Sequence, residues 1–142
     1  MLFRSDWLNG GAGADTLVYD TAKGNDTVYG GTGGDTLQFL GVGESLDLSS
    51  SHVHQIETIS LGAGGCNTLT LTVQEVLDLS DTDTLVVAGD SSDALTASGG
   101  WTDTHVASTI GGVTYEIYTG TAGGTTAHLL VDTSDVLQTT IS

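Results

Sequence analysis

A chain of 142 residues has the length of one domain, and 18 Asp plus Glu against 2 Lys plus Arg give it a formal charge of −16. So acidic a molecule repels nucleic acid and anionic membrane surfaces, which excludes both as partners, and a single cysteine, Cys66, excludes an internal disulfide. No segment approaches the roughly 20 apolar residues of a membrane span, and the opening MLFRSDWL holds no apolar run of signal-peptide length, so neither membrane insertion nor Sec export is supported.

Along the chain, an acid or amide followed two residues later by an aliphatic recurs nine times. The pairs are Asp6 with Leu8, Asp15 with Leu17, Asp26 with Val28, Asp35 with Leu37, Glu44 with Leu46, Glu57 with Ile59, Asn67 with Leu69, Asp83 with Leu85, and Asp93 with Leu95. The aliphatics are spaced 9, 11, 9, 9, 13, 10, 16 and 10 residues apart. A period near nine predicts a Gly-rich bend and one short strand per repeat, with two repeats closing a rung of about 18 residues. No rung can bury its own apolar stripe, so rungs must stack into two parallel sheets whose aliphatics meet across a thin core. The expected fold is all-β, a right-handed parallel β-roll or β-solenoid.

Stacking has an electrostatic consequence. Acids about 18 to 20 residues apart become neighbours, which places Asp15 above Asp35 on one edge and lines up Asp6, Asp26 and Glu44 on the other. Two carboxylates about 4 Å apart repel by about 4 kcal/mol at an effective dielectric near 20. With only Arg4 and Lys23 as bases, the counter-charge must be imported, and oxygen ligands select a hard cation such as calcium.

Three regions follow. Residues 1–48 form the Gly-rich roll and 49–98 form degenerate rungs. Within the second, TVQEVLDLS carries Thr72 with Glu75 three residues on, a capping box that predicts a short inserted helix near 73–79 with Val73, Val76 and Leu77 on one face. Residues 99–142 change to longer β-rich runs, HVASTI, VTYEIY and AHLLVD, separated by Gly111-Gly112 and by TGTAGG. They predict an antiparallel β-meander capping the last rung, with Trp101 as its apolar lid. Cys66 has no cationic neighbour and reads as a small, half-buried apolar residue rather than a reactive thiol.

The bends GGAGAD at 10–15 and GGTGGD at 30–35, with AKGND at 22–26 as a degraded copy, resemble the RTX nonapeptide G-G-x-G-x-D-x-U-x. That resemblance implies a calcium-binding β-roll in which Asp15 and Asp35 are ligands and Gly11, Gly13, Gly31 and Gly33 supply backbone carbonyls. Asp26 and Gly24 match the partial copy, where Thr21 and Ala22 replace the paired glycines; Asp6 matches by spacing alone. From about residue 56 on, the chain is similar to the C-terminal segment of giant RTX adhesins and other type I secreted bacterial proteins. This implies a secreted or cell-surface module with an uncleaved signal read by an ABC transporter, following further domains of the same polypeptide, and no catalysis of its own.

Other readings compete. The parent could still be a secreted protease or lipase, although no nucleophile-elbow pattern occurs in these residues. Thr16, Thr27, Thr36, Thr68 and Thr84 each follow the acid and could form the hydroxyl ladder of an ice-binding solenoid, but outward threonines are ordinary in strands. His52 and His54 share a strand face at a spacing that can hold zinc or copper, without an identifiable third ligand. His105 and His128 read as surface residues. Asp78, Asp81 and Asp83 could form a secondary calcium site, or simply a polar turn after the helix.

Overall fold

A computed structural model of the chain describes residues 6–20, 26–50, 52–62, 64–134 and 138–142. The described residues are mostly β, in parallel sheets. Strands β1 (Trp7–Ala12), β3 (Thr27–Thr32) and β6 (His52–His54) pair in that order as one parallel sheet. Strands β2 (Thr16–Tyr19), β4 (Thr36–Phe39), β7 (Thr58–Ser60) and β9 (Thr84–Ala88) form a second. Strands β5 (Ser45–Asp47), β8 (Thr68–Thr72), β10 (Ala94–Ser98) and β14 (Gln138–Ile141) form a third.

Register explains why these short segments hold. In the second sheet Leu17, Leu37, Ile59 and Val87 stand in successive register, and in the third Leu46, Leu69 and Leu95 do the same. Each strand alternates buried and open positions, as a period-2 pattern requires when one face meets the core. Eight of the nine repeat aliphatics are buried, and Leu8 packs half-buried against the same cluster.

The third sheet is a departure from the two-sided rung. After β4 the chain visits the third, first and second sheets in turn through β5, β6 and β7. The extra side comes from longer connections: the 3₁₀ turn Leu48–Ser50 follows β5, stapled by Asp47 Oδ1 accepting from the Ser49 amide at 3.0 Å. In consequence Glu44 does not line up with Asp6 and Asp26; it opens a separate column.

The helix α1 (Val73–Leu79) starts at Thr72, whose hydroxyl accepts from the Glu75 amide while Glu75 Oε2 accepts from the Thr72 amide at 2.7 Å. The reciprocal cap satisfies two of the amides a helix start leaves open. Val73, Val76 and Leu79 are buried, and the Leu79 carbonyl accepts from the Gln55 and Ile56 amides just beyond β6. Cys66 is exposed rather than half-buried, because it lies in the corner before β8 and not on a strand face.

Residues 102–132 form the meander. Strands β11 (Thr102–Ile110), β12 (Val113–Ala122) and β13 (Thr125–Asp132) pair antiparallel. Their loops are Gly111-Gly112 and Gly123-Gly124, with φ of 59° and 88°, then 59° and 89°, the left-handed pair that a two-residue type I′ turn requires. TGTA belongs to β12 rather than to the separator. Gly120 can sit inside that strand because the strand lies close on α1 and Trp101: a Cβ there would lie 2.4 Å from Val73 Cγ2 and 3.2 Å from the Trp101 ring. Instead of lying across an open end, β13 pairs in parallel with β9 and extends the second sheet, while β14 returns to β10. Trp101 is buried.

Candidate metal centre

The two complete motif bends lie directly against each other. Gly11 and Ala12 are in register with Gly31 and Thr32, and the Gly13 amide donates to the Thr32 carbonyl at 2.9 Å. The fit is glycine-specific: a Cβ on Gly31 or Gly33 would lie 2.0 Å from the carbonyl oxygen of Gly11 or Gly13. Those two carbonyls therefore rest on the following bend, where only a bare Cα leaves room.

The aspartates that end the bends form a ladder. The Asp15 amide donates to Asp35 Oδ1 at 2.9 Å, and the Asp35 amide donates to Glu57 Oε2 at 2.9 Å. Before the paired strands β1 and β3, the Asp6 amide donates to Asp26 Oδ1 at 2.9 Å. Asp26, Asp35 and Glu57 each thus give one oxygen to the preceding backbone. Asp15 Oδ2 and Asp35 Oδ2 are buried without a hydrogen-bond partner. Each is folded back over the first glycine of its own bend, 2.9 Å from a Cβ built on Gly10 and 2.7 Å from one built on Gly30. An unsatisfied buried polar group costs about 1–3 kcal/mol, and more when charged. No Lys or Arg stands among the described residues to neutralise the charge.

In the third sheet an amide side chain closes one step of such a ladder. The Glu44 amide donates to Asn67 Oδ1 at 2.8 Å and the Asn67 amide to Asp93 Oδ1 at 2.9 Å, the same ladder with an amide in the middle. Asn67 Nδ2 donates to the carbonyls of Leu61 at 2.6 Å and Gly41 at 3.2 Å, which a carboxylate cannot do. Asp93 Oδ2 accepts from the Asp90 amide at 3.0 Å, so both its oxygens are used. Asp90 in turn binds the Ser92 hydroxyl, the Ser92 amide and the Gly64 amide, which hold its carboxyl below the usual range.

Gly24, the remaining motif position, lies outside the described residues. Glu57, which the repeat pairs with Ile59, is the next step of the Asp15 ladder, beyond the residues that the motif names as ligands. His54 stacks on Tyr29 with centroids 4.9 Å apart, and Tyr29 stacks on Trp7 at 5.2 Å. Among the described residues no third metal-binding side chain joins His52 and His54. Asp78 and Asp81 are engaged by Gln74 and Gln55 instead of converging on Asp83. The one trio of side chains whose ligand atoms lie within 4.8 Å of one another, among the described residues, is Asp103, His105 and Glu116. The sequence reading missed it; Asp-x-His on a strand facing a Glu-bearing strand was the available signal. A cation at the motif bends would accordingly need backbone carbonyls beside the carboxylates.

No helix among the described residues is long and apolar enough to cross a membrane. No family model, no curated protein and no solved structure matches the chain.

Proposed function

We propose that the chain is a calcium-binding RTX module, its parallel strands the rungs of a β-solenoid, from the C-terminal end of a type I secreted bacterial adhesin. The observation that carries this reading is the pair of partnerless buried oxygens, Asp15 Oδ2 and Asp35 Oδ2, at bends packed so tightly that only glycine fits between them. The donors there are all oxygen, from carboxylates and glycine carbonyls, which suits calcium better than zinc or copper. Support for the coil comes from the ladder, whose acid or amide returns every 20, 22, 23 or 26 residues. Asp15 and Asp35 would hold the ion, with the carbonyls of Gly11, Gly13, Gly31 and Gly33 completing its shell; Asp6 and Asp26 would do the same on the opposite edge.

Function then follows from linkage. A cation that binds only the folded chain stabilises it by about 2.7 kcal/mol when free metal is 100 times the dissociation constant. Extracellular calcium modules bind at roughly 10⁻⁴ to 10⁻³ M, so the chain stays unfolded and export-competent where calcium is scarce and folds outside the cell. The module works as a secretion address and a folding seed, not as an enzyme. Calcium titration followed by circular dichroism tests this: β signal should appear with calcium and vanish with chelator. An unchanged β signal after thorough chelation sinks the reading.

A further inference from the structure

The meander carries a second donor cluster that is independent of the calcium reading. Strands β11 and β12 pair at Thr102 with Thr119 and Asp103 with Tyr118, lose register, and resume at Ala107 with Glu116. Residues 104, 105 and 106 therefore stand against Ile117 alone, and the surplus leaves the sheet as a bulge. Its shape is fixed by short bonds. Thr104 Oγ1 donates to the Ile117 carbonyl at 2.7 Å, and the His105 amide donates to Asp103 Oδ1 at 2.7 Å. His105 adopts φ of 55°, which returns its ring over Asp103 with Nδ1 2.9 Å from Oδ2. Glu116 reaches the same place from β12, on the face shared by Tyr118 and its partner Asp103.

We propose that this bulge binds a zinc-class divalent cation through an imidazole nitrogen of His105 and one carboxylate oxygen each from Asp103 and Glu116, with water filling the open position. One nitrogen beside two carboxylates is a donor set for borderline first-row metals rather than for calcium. Two acids meet here with no Lys or Arg among the described residues, and a dication supplies counter-charge that those residues lack. Tyr118 supports the arrangement: its hydroxyl donates to Glu116 Oε2 at 3.3 Å, which orients the carboxylate. The His105 side chain is 85% exposed, so an ion reaches the site without opening the fold.

The test is calorimetric titration of the whole chain with zinc chloride in millimolar calcium, after circular dichroism has established that the chain is folded. One saturable zinc site is expected. His105→Ala and Glu116→Gln should each weaken it at least about tenfold, while His128→Ala on β13 leaves it unchanged. Absence of a saturable site in the folded protein overturns the proposal. So does wild-type affinity in His105→Ala. Because calcium is present throughout, failure here is distinguishable from failure of calcium-dependent folding, which the chelation experiment reads separately.

Discussion

The amide of Asp15 donates to Oδ1 of Asp35 at 2.9 Å, and the second oxygen of that same carboxylate is buried with no partner. One side chain thus ties two bends together and leaves a negative atom uncompensated between them. Asp35→Asn keeps the acceptor and removes the charge. In chelator the variant should therefore unfold at a higher temperature than the parent, since about 1–3 kcal/mol of burial cost is relieved, at roughly 3–5 °C per kcal/mol for this length. In millimolar calcium the order should reverse. Thermal unfolding with and without chelator reads both, and a variant less stable under both conditions would count against a cation at this step.

Glycine spacing gives a sharper test of how closely the bends approach. Gly13 and Gly33 both have left-handed φ, 118° and 139°, so alanine is strained at either. Space differs between them: a Cβ at Gly13 meets nothing within 4 Å, whereas one at Gly33 meets the Gly13 carbonyl oxygen at 2.0 Å. Gly33→Ala should be the more destabilising by at least about 1 kcal/mol in urea unfolding. Equal losses would mean that backbone strain alone, and not contact between bends, selects glycine.

What the sequence made visible and what it hid divide along locality. The inward aliphatics, the Thr72/Glu75 cap of α1 and the Asp15–Asp35 step were readable because each is set by a spacing of a few residues or by a strict repeat. Glu44 was misplaced because its column depends on where β5 turns. That is decided by the 3₁₀ turn at Leu48–Ser50, a feature without a periodic signal. TGTAGG reads as one separator between strands; only the approach of Gly120 to Val73 and Trp101 shows why a glycine belongs inside β12. His105 looked like a solvent-facing strand residue because the bulge that turns it back exists only relative to β12.

Asn67 supplies the converse of the Asp35 experiment. Its Nδ2 donates to two carbonyls, those of Leu61 and Gly41, while its Oδ1 serves the Glu44 amide. Asn67→Asp leaves the acceptor in place but sets a carboxylate oxygen against two carbonyl oxygens in a buried corner. Without metal the variant should lose about 2–4 kcal/mol, from the forfeited bonds and the charge left unpaired. If corners of this ladder accept calcium when they end in an acid, millimolar calcium should recover part of the loss. Denaturant unfolding in the two conditions measures it, and a variant as stable as the parent in chelator would show that the amide is not what closes this corner.

Acid stability should report on Asp90. Hydrogen bonds from the Ser92 hydroxyl, the Ser92 amide and the Gly64 amide hold its carboxyl below the usual range, so the folded chain keeps it ionised to a lower pH than the unfolded chain does. The unfolded state takes up the proton first as pH falls. The contribution is therefore whole above the ordinary Asp value of about 3.9 and is lost as pH drops through the lowered folded value. Asp90→Asn cannot titrate. The stability gap between parent and variant should accordingly be flat from about pH 7 to 5 and shrink below about pH 4. Urea unfolding at several pH values in constant calcium follows the gap directly. A gap that stays constant down to the most acidic point would mean that the Ser92 and Gly64 bonds hold the corner equally well with Asp90 protonated.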